Sequence, residues 1–129
     1  MINYGFTKEL DISFEEALKQ TTENLKKAGF GVLTSIDVKE KFKEKLGVDF
    51  KKYVILGACN PANAYKAIET EKNIGLMLPC NVIVYEEDDK VIIAAIKPTV
   101  AMQMIDNEKL GKIAADVEIQ IKQVIDSIH

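Results

Sequence analysis

The dipeptide Cys-Asn occurs twice, in Gly57-Ala58-Cys59-Asn60-Pro61 and in Leu78-Pro79-Cys80-Asn81, and Cys59 and Cys80 are the only two cysteines among 129 residues. Each pair abuts a proline and so sits at a bend. The single histidine is His129 at the end of the chain, and arginine and tryptophan are absent, so these thiols are the most reactive side chains the core can offer. Cys59 lies just ahead of a helix opened by Pro61, where the helix dipole and free N–H groups favour a thiolate. Against that stands burial, because a free cysteine commonly packs as a small hydrophobe. Cys80 follows Pro79 at a strand start, where a structural role is the simpler reading. Taken together, the pair could form a redox couple or a sulfur site for a soft metal. Zinc is disfavoured, since two sulfurs do not close its coordination shell and Cys-x-x-Cys spacing is absent.

The asparagines carry parallel alternatives. Asn60 reads as a helix N-cap, with a hydrogen bond to a ligand as the sharper option. Asn81 begins an apolar strand and, if buried, must find partners in the loop at Asn60 or in a ligand. Cys59, Asn60, Cys80 and Asn81 are therefore the candidate ligand-binding residues, with Cys59 and Cys80 the candidate catalytic ones. An anion at the Gly57–Pro61 turn is less favoured, because proline removes a donor and no glycine-rich phosphate loop is present. Tyr65 and Tyr85 read as packing residues. Glu86-Glu87-Asp88-Asp89 falls at a hairpin tip and reads as a solvated turn, not a metal site. With no internal histidine, Ser-His, Cys-His and histidine-ligated zinc mechanisms are excluded within one chain. No cofactor and no resident metal are expected.

Charge and length narrow the partners. Seventeen lysines against 20 acids leave a net charge of −3, which gives no overall attraction for nucleic acid or anionic lipid. Lys39 to Lys45 interleaves lysine with glutamate and reads as an exposed helix face. No window approaches the roughly 20 apolar residues of a membrane span, and the opening residues lack a secretory pattern, so a cytoplasmic location with free thiols is expected. With 47% hydrophobic residues and no linker or repeat, one domain spanning 1–129 is expected.

Elements must position the two motifs. Tyr4 to Leu10 reads as a strand, followed by a capping box at Ser13 and Glu16 and a helix whose stripe is Phe14, Ala17, Leu18, Thr21, Leu25 and Ala28, ended by Gly29. Phe30 to Ile36 is a second strand. Asp37 with Glu40 caps a short helix expected to turn Val38, Phe42 and Leu46 inward, closed by Gly47. Tyr53 to Ala58 is a continuous apolar run, as in a strand covered on both faces. A helix follows from Pro61 to about Glu69. Ile74 to Tyr85 reads as extended but interrupted at Pro79, and Val91 to Ile96 pairs with it as a hairpin. Leu110, Ile113, Ala114, Val117, Ile121, Val124, Ile125 and Ile128 mark a long C-terminal helix across the sheet. The class is α+β, with a mixed sheet and helices packed on it.

Chain geometry bears on whether the thiols meet. A helix of ten residues carries the chain back roughly 15 Å, and six extended steps from Ile74 to Cys80 regain about 20 Å. Parallel pairing would then bring Cys80 level with Cys59, whereas a compact Ile74–Leu78 segment would separate them.

The segment Gly57 to Pro61 with Ala64 and Ala67, then Gly75-Leu76-Met77-Leu78-Pro79-Cys80-Asn81-Val82-Ile83-Val84-Tyr85, resembles the domain of unknown function 302 family. Gly29-Phe30-Gly31-Val32-Leu33-Thr34, Lys45-Leu46-Gly47-Val48 and the Pro98 region are similar to the same family, so the resemblance covers essentially the whole chain. It implies a small bacterial or archaeal α+β domain, similar in fold to the TATA-binding-protein group, usually a homodimer and without an established activity. DNA binding does not follow from such kinship, because function resides in the site and not the scaffold.

Three classes of function remain. The preferred one is a binding domain, a homodimer holding a small molecule or ion near Cys59, Asn60, Cys80 and Asn81. The second is a thiol-dependent redox or sulfur-transfer enzyme with Cys59 as nucleophile and Cys80 as resolving partner, which requires a depressed thiol pKa. The third is an interaction module whose cysteines only pack, with off-stripe residues such as Ile119 and Met102 meeting another subunit. The sequence does not decide between catalysis and binding.

Overall fold

The structure is a computed structural model and describes residues 2–129. Its scaffold is a five-stranded sheet in the order β1-β5-β4-β3-β2. The strands are β1 (Gly5–Leu10), β2 (Gly31–Asp37), β3 (Tyr53–Cys59), β4 (Cys80–Glu87) and β5 (Lys90–Ile96). The helices are α1 (Phe14–Lys27), α2 (Val38–Leu46), α3 (Pro61–Thr70), α4 (Pro98–Ala101) and α5 (Glu108–Asp126), with a 3-10 segment at Lys72–Met77. The α+β class holds. Every strand pair is antiparallel, so the sheet is not mixed and the parallel alternative for bringing Cys80 level with Cys59 does not occur.

Local signals set the helix ends. Ser13 Oγ accepts the Glu16 N–H at 3.0 Å, supplying one half of the capping box. Asp37 Oδ1 does the same for the Glu40 N–H at 3.0 Å. Asn107, whose role is not obvious in the sequence, caps α5 through the Leu110 N–H at 3.2 Å. Its amide also donates to the Thr70 carbonyl at 3.2 Å, tying the start of α5 to the end of α3.

Helices α1 and α5 lie across one face of the sheet. Leu25, Ile121, Val124, Ile125 and Ile128 meet Val54, Leu56, Val82, Val84, Ile93 and Ala95 in the main core. The expected stripe of α5 is this buried face, and Lys8 closes the helix by donating to the Asp126 carbonyl at 3.1 Å. A satellite cluster of Ala67, Ile74 and Leu110, with Met77, Leu78 and Met102 against it, binds α3 and the 3-10 segment to α5.

Several expectations fail for physical reasons. Helix α2 buries none of its residues, because it packs at the β2 and β3 margin and, among the described residues, no helix covers its apolar stripe. Phe42 instead meets Phe50 edge-on at 5.1 Å, while Leu46 is 69% exposed. Ile74 to Leu78 is compact, since only a tight turn places Ile74 beside Ala67 and Leu110. Met102 is partly buried, packed against the satellite cluster, whereas Ile119 is exposed.

The second face of the sheet is apolar as well. Tyr53 and Ile55 on β3, Ile83 and Tyr85 on β4, and Ile92, Ala94 and Ile96 on β5 alternate with the core residues. Tyr53 stacks on Tyr85 at 5.2 Å. The covered-on-both-faces pattern of β3 is therefore real in the sequence, but among the described residues no helix lies across β4 and β5 on this side.

Candidate functional site

Strand β3 ends at Cys59, and Asn60 caps the next helix by accepting the Asn63 N–H on its side-chain Oδ1 at 3.1 Å. The capping role expected for Asn60 is thus observed, with Pro61 opening α3. On the neighbouring strand Cys80 sits opposite Ala58. Cys59 and Cys80 are accordingly neighbouring residues, through antiparallel and not parallel pairing. A 3-10 turn rises about 2.0 Å per residue, so the compact segment with Leu78 and Pro79 suffices to return the chain to the end of the sheet that β3 left.

Gly57 permits this closeness. A Cβ built there would strike Thr34 Oγ1 and come within 2.7 Å of Pro79 Cγ. The Leu78-Pro79 peptide is cis, and the proline ring lies over Gly57 on the open side of the sheet.

Cys59, Asn60 and Cys80 line one cavity of about 30 Å³ with Phe30, Ala58, Asn63, Ala64, Leu78, Met102 and apolar residues of α5. No charged side chain lines it. A space of that size takes a water molecule or an ion of similar size, not an organic cofactor. Asn81 is separated from this cavity. Its position on β4 faces the open side, and it is exposed there, so it has no buried amide to satisfy. It lines a surface groove with Pro79, Cys80, Met77 and Met102. Tyr65 is 68% exposed, so the packing role expected for it does not hold. Glu86 and Glu87 end β4, and Asp88 with Asp89 forms a solvated turn, as expected.

The electrostatics run against an activated thiol. Burial pushes the Cys59 thiol up. Burial, and secondarily the neighbouring Cys59, pushes Cys80 up to about 11. Desolvation in a charge-free cavity outweighs the helix end, so both thiols are protonated at neutral pH. The depressed pKa that a nucleophilic Cys59 requires is opposite in sign. Among the described residues, no group of three or more His, Cys, Asp or Glu side chains is placed to hold a metal ion. No helix among them is long and apolar enough to cross a membrane.

This raised pKa links Cys80 to stability. Between the unfolded thiol value and about 11, the folded state holds a proton that the unfolded state has released, so stability falls as pH rises through that window. Relative to Cys80→Ala, the unmodified protein is expected to lose up to roughly 2–3 kcal/mol between pH 8.5 and 11. Urea unfolding at graded pH measures it, and parallel curves for the two proteins would contradict it.

Sequence reasoning named both thiols and Asn60 but missed Phe30, Leu78 and Met102 as cavity walls. Phe30 reads simply as the first residue of a strand, and only the fold brings it beneath α3.

No curated protein matches the chain. The family model "Domain of unknown function DUF302" matches residues 6–128. The crystal structure of an uncharacterised conserved DUF302 protein from Bacillus stearothermophilus is 35% identical and superposes with a TM-score of 0.91, covering 98% of each chain. A family match over nearly the whole length, together with that likeness in sequence and fold, means that the chain belongs to the DUF302 family.

Proposed function

We propose that this chain is a binding domain that takes a very small ligand or ion in the cavity formed by Cys59, Asn60 and Cys80, and that it works as a homodimer. The observation that carries the ligand reading is the convergence of both cysteines on one apolar cavity without a charged side chain. Protonated thiols in such a space suit binding better than nucleophilic turnover. Free thiols also suit a reducing compartment, so the proposed location is the cytoplasm. Native mass spectrometry of protein purified without reductant tests the reading. An adduct or ion on the intact chain, absent from a Cys59→Ser, Cys80→Ser double variant, is expected. Bare chains whose thiols react only after unfolding would contradict it.

The open sheet face supports the homodimer. An antiparallel sheet with one solvated face alternates apolar with polar residues, yet β3, β4 and β5 are apolar on both sides. The centre of the face, at Ile55, Ile83, Tyr85 and Ala94, carries no charged side chain, in keeping with the apolar core of an interface between two copies. Ile83→Glu, in the middle of that face, is expected to convert the dimer to a folded monomer in sedimentation velocity. A monomer already present in the unmodified protein at high concentration would refute this assembly.

A further inference from the structure

Three sulfur-bearing residues line the cavity, since Met102 borders it together with Cys59 and Cys80. The three come from different parts of the chain: the end of β3, the start of β4 and the residue after α4. Met102 also lines the groove on the other side of Cys80, so it lies between the cavity and the surface.

The remaining lining selects the kind of ion. Apart from the sulfurs, the cavity offers only the Asn60 and Asn63 amides and apolar side chains, and Asn60 Oδ1 is already engaged by the Asn63 N–H. Calcium and magnesium need several oxygen ligands and are excluded. Structural zinc calls for four strong donors, which two thiolates and a thioether do not supply. Thiolate and thioether donors select soft ions, above all Cu(I).

We propose that Cys59, Cys80 and Met102 bind one Cu(I) ion in this cavity, an inference that rests on the pocket reading above. On binding, each thiol releases its proton to solvent and forms a Cu–S bond, while the Met102 thioether donates a lone pair. Copper remains in the +1 state and no electron is transferred. Two thiolates and one Cu(I) leave a net charge of −1, which the N-terminus of the ten-residue helix α3 stabilises through its dipole. The apolar walls on the helix and core side leave the ion few competing oxygen donors.

The test is anaerobic titration of reduced, reductant-free protein with the Cu(I) acetonitrile complex against a chromophoric Cu(I) chelator. One Cu(I) withheld per chain is expected, with affinity falling at least 100-fold in Cys59→Ser and in Cys80→Ser. Met102→Leu, which preserves volume, is expected to weaken binding about tenfold. In the unmodified protein, Cu(I) should also protect both thiols from alkylation, a readout that does not depend on any variant folding. Undiminished affinity in either serine variant, one ion per two chains, or no withheld Cu(I) would overturn the proposal. Xenon binding followed by NMR separates the two levels. Xenon without Cu(I) would leave the pocket and remove the ion, and neither would remove both.

Discussion

Phe30→Ala is expected to destabilise the protein by about 3–5 kcal/mol, the range for truncating a buried aromatic. Phe30 is 2% exposed and belongs to the main core between α1 and the sheet. Its backbone N–H also donates to the Leu25 carbonyl at 2.9 Å, closing the C-terminus of α1 past Gly29, whose φ of 89° suits glycine. Alanine keeps that bond, so the loss comes from the ring alone. At about 4 °C per kcal/mol for a domain of this size, the melting temperature should fall by roughly 12–20 °C. The ring is also a wall of the Cys59–Cys80 cavity, so its removal should enlarge that space and speed alkylation of both thiols. A fall in melting temperature without faster alkylation would show that Phe30 is core packing alone and does not gate the site.

Gly57→Val should act on the opposite side of the same strand. The new side chain would meet Thr34 Oγ1 and the Pro79 ring, and overpacking of this kind typically costs about 1–3 kcal/mol. Thr34 lies on the edge strand and can shift, but Pro79 is directly attached to Cys80. Relief of the clash therefore moves Cys80 away from Cys59, and Cu(I) binding should weaken along with stability. Gly75→Ala is the control, because a Cβ there meets nothing within 4 Å. Calorimetry that found the two variants equally stable would contradict the close approach at Gly57.

Much of the scaffold is legible in the sequence because it depends on local chemistry. Ser13, Asp37 and Asn60 announce their helices, and each accepts the expected N–H. The stripe of α5 repeats long enough to identify its buried face. Direction and pairing are different, since they depend on where the chain returns. Ile74, Leu76, Met77 and Leu78 are apolar in either an extended or a compact form, and only the waiting contacts of Ala67 and Leu110 select the turn. Ile74 is buried while Leu76 is 90% exposed, a contrast that composition does not reveal. The inward face assigned to α2 fails similarly, because periodicity says which residues share a face and not what covers it.

The candidate site is legible in part. The repeated Cys-Asn draws attention to Cys59 and Cys80, and the fold brings both to one cavity. The same repeat misleads about the asparagines. Asn60 is a cap at a strand-helix junction, whereas Asn81 alternates to the other side of β4. Strand alternation separates Asn81 from Cys80 however similar the dipeptides look. The sequence leaves the sign of the thiol shifts open, because the helix end at Pro61 argues for a lowered pKa and burial for a raised one, and the structure decides for burial.

The most direct test of the central claim, a charge-free cavity lined by both cysteines, is alkylation of the folded protein at graded pH, read for each cysteine by peptide mass spectrometry. Both thiols are expected to react slowly at neutral pH, with Cys59 ahead of Cys80 and Cys80 accelerating only as pH approaches 11. Occupation of the cavity should slow the two together. Rapid alkylation of either thiol below pH 7, or protection of one without the other, would contradict the account.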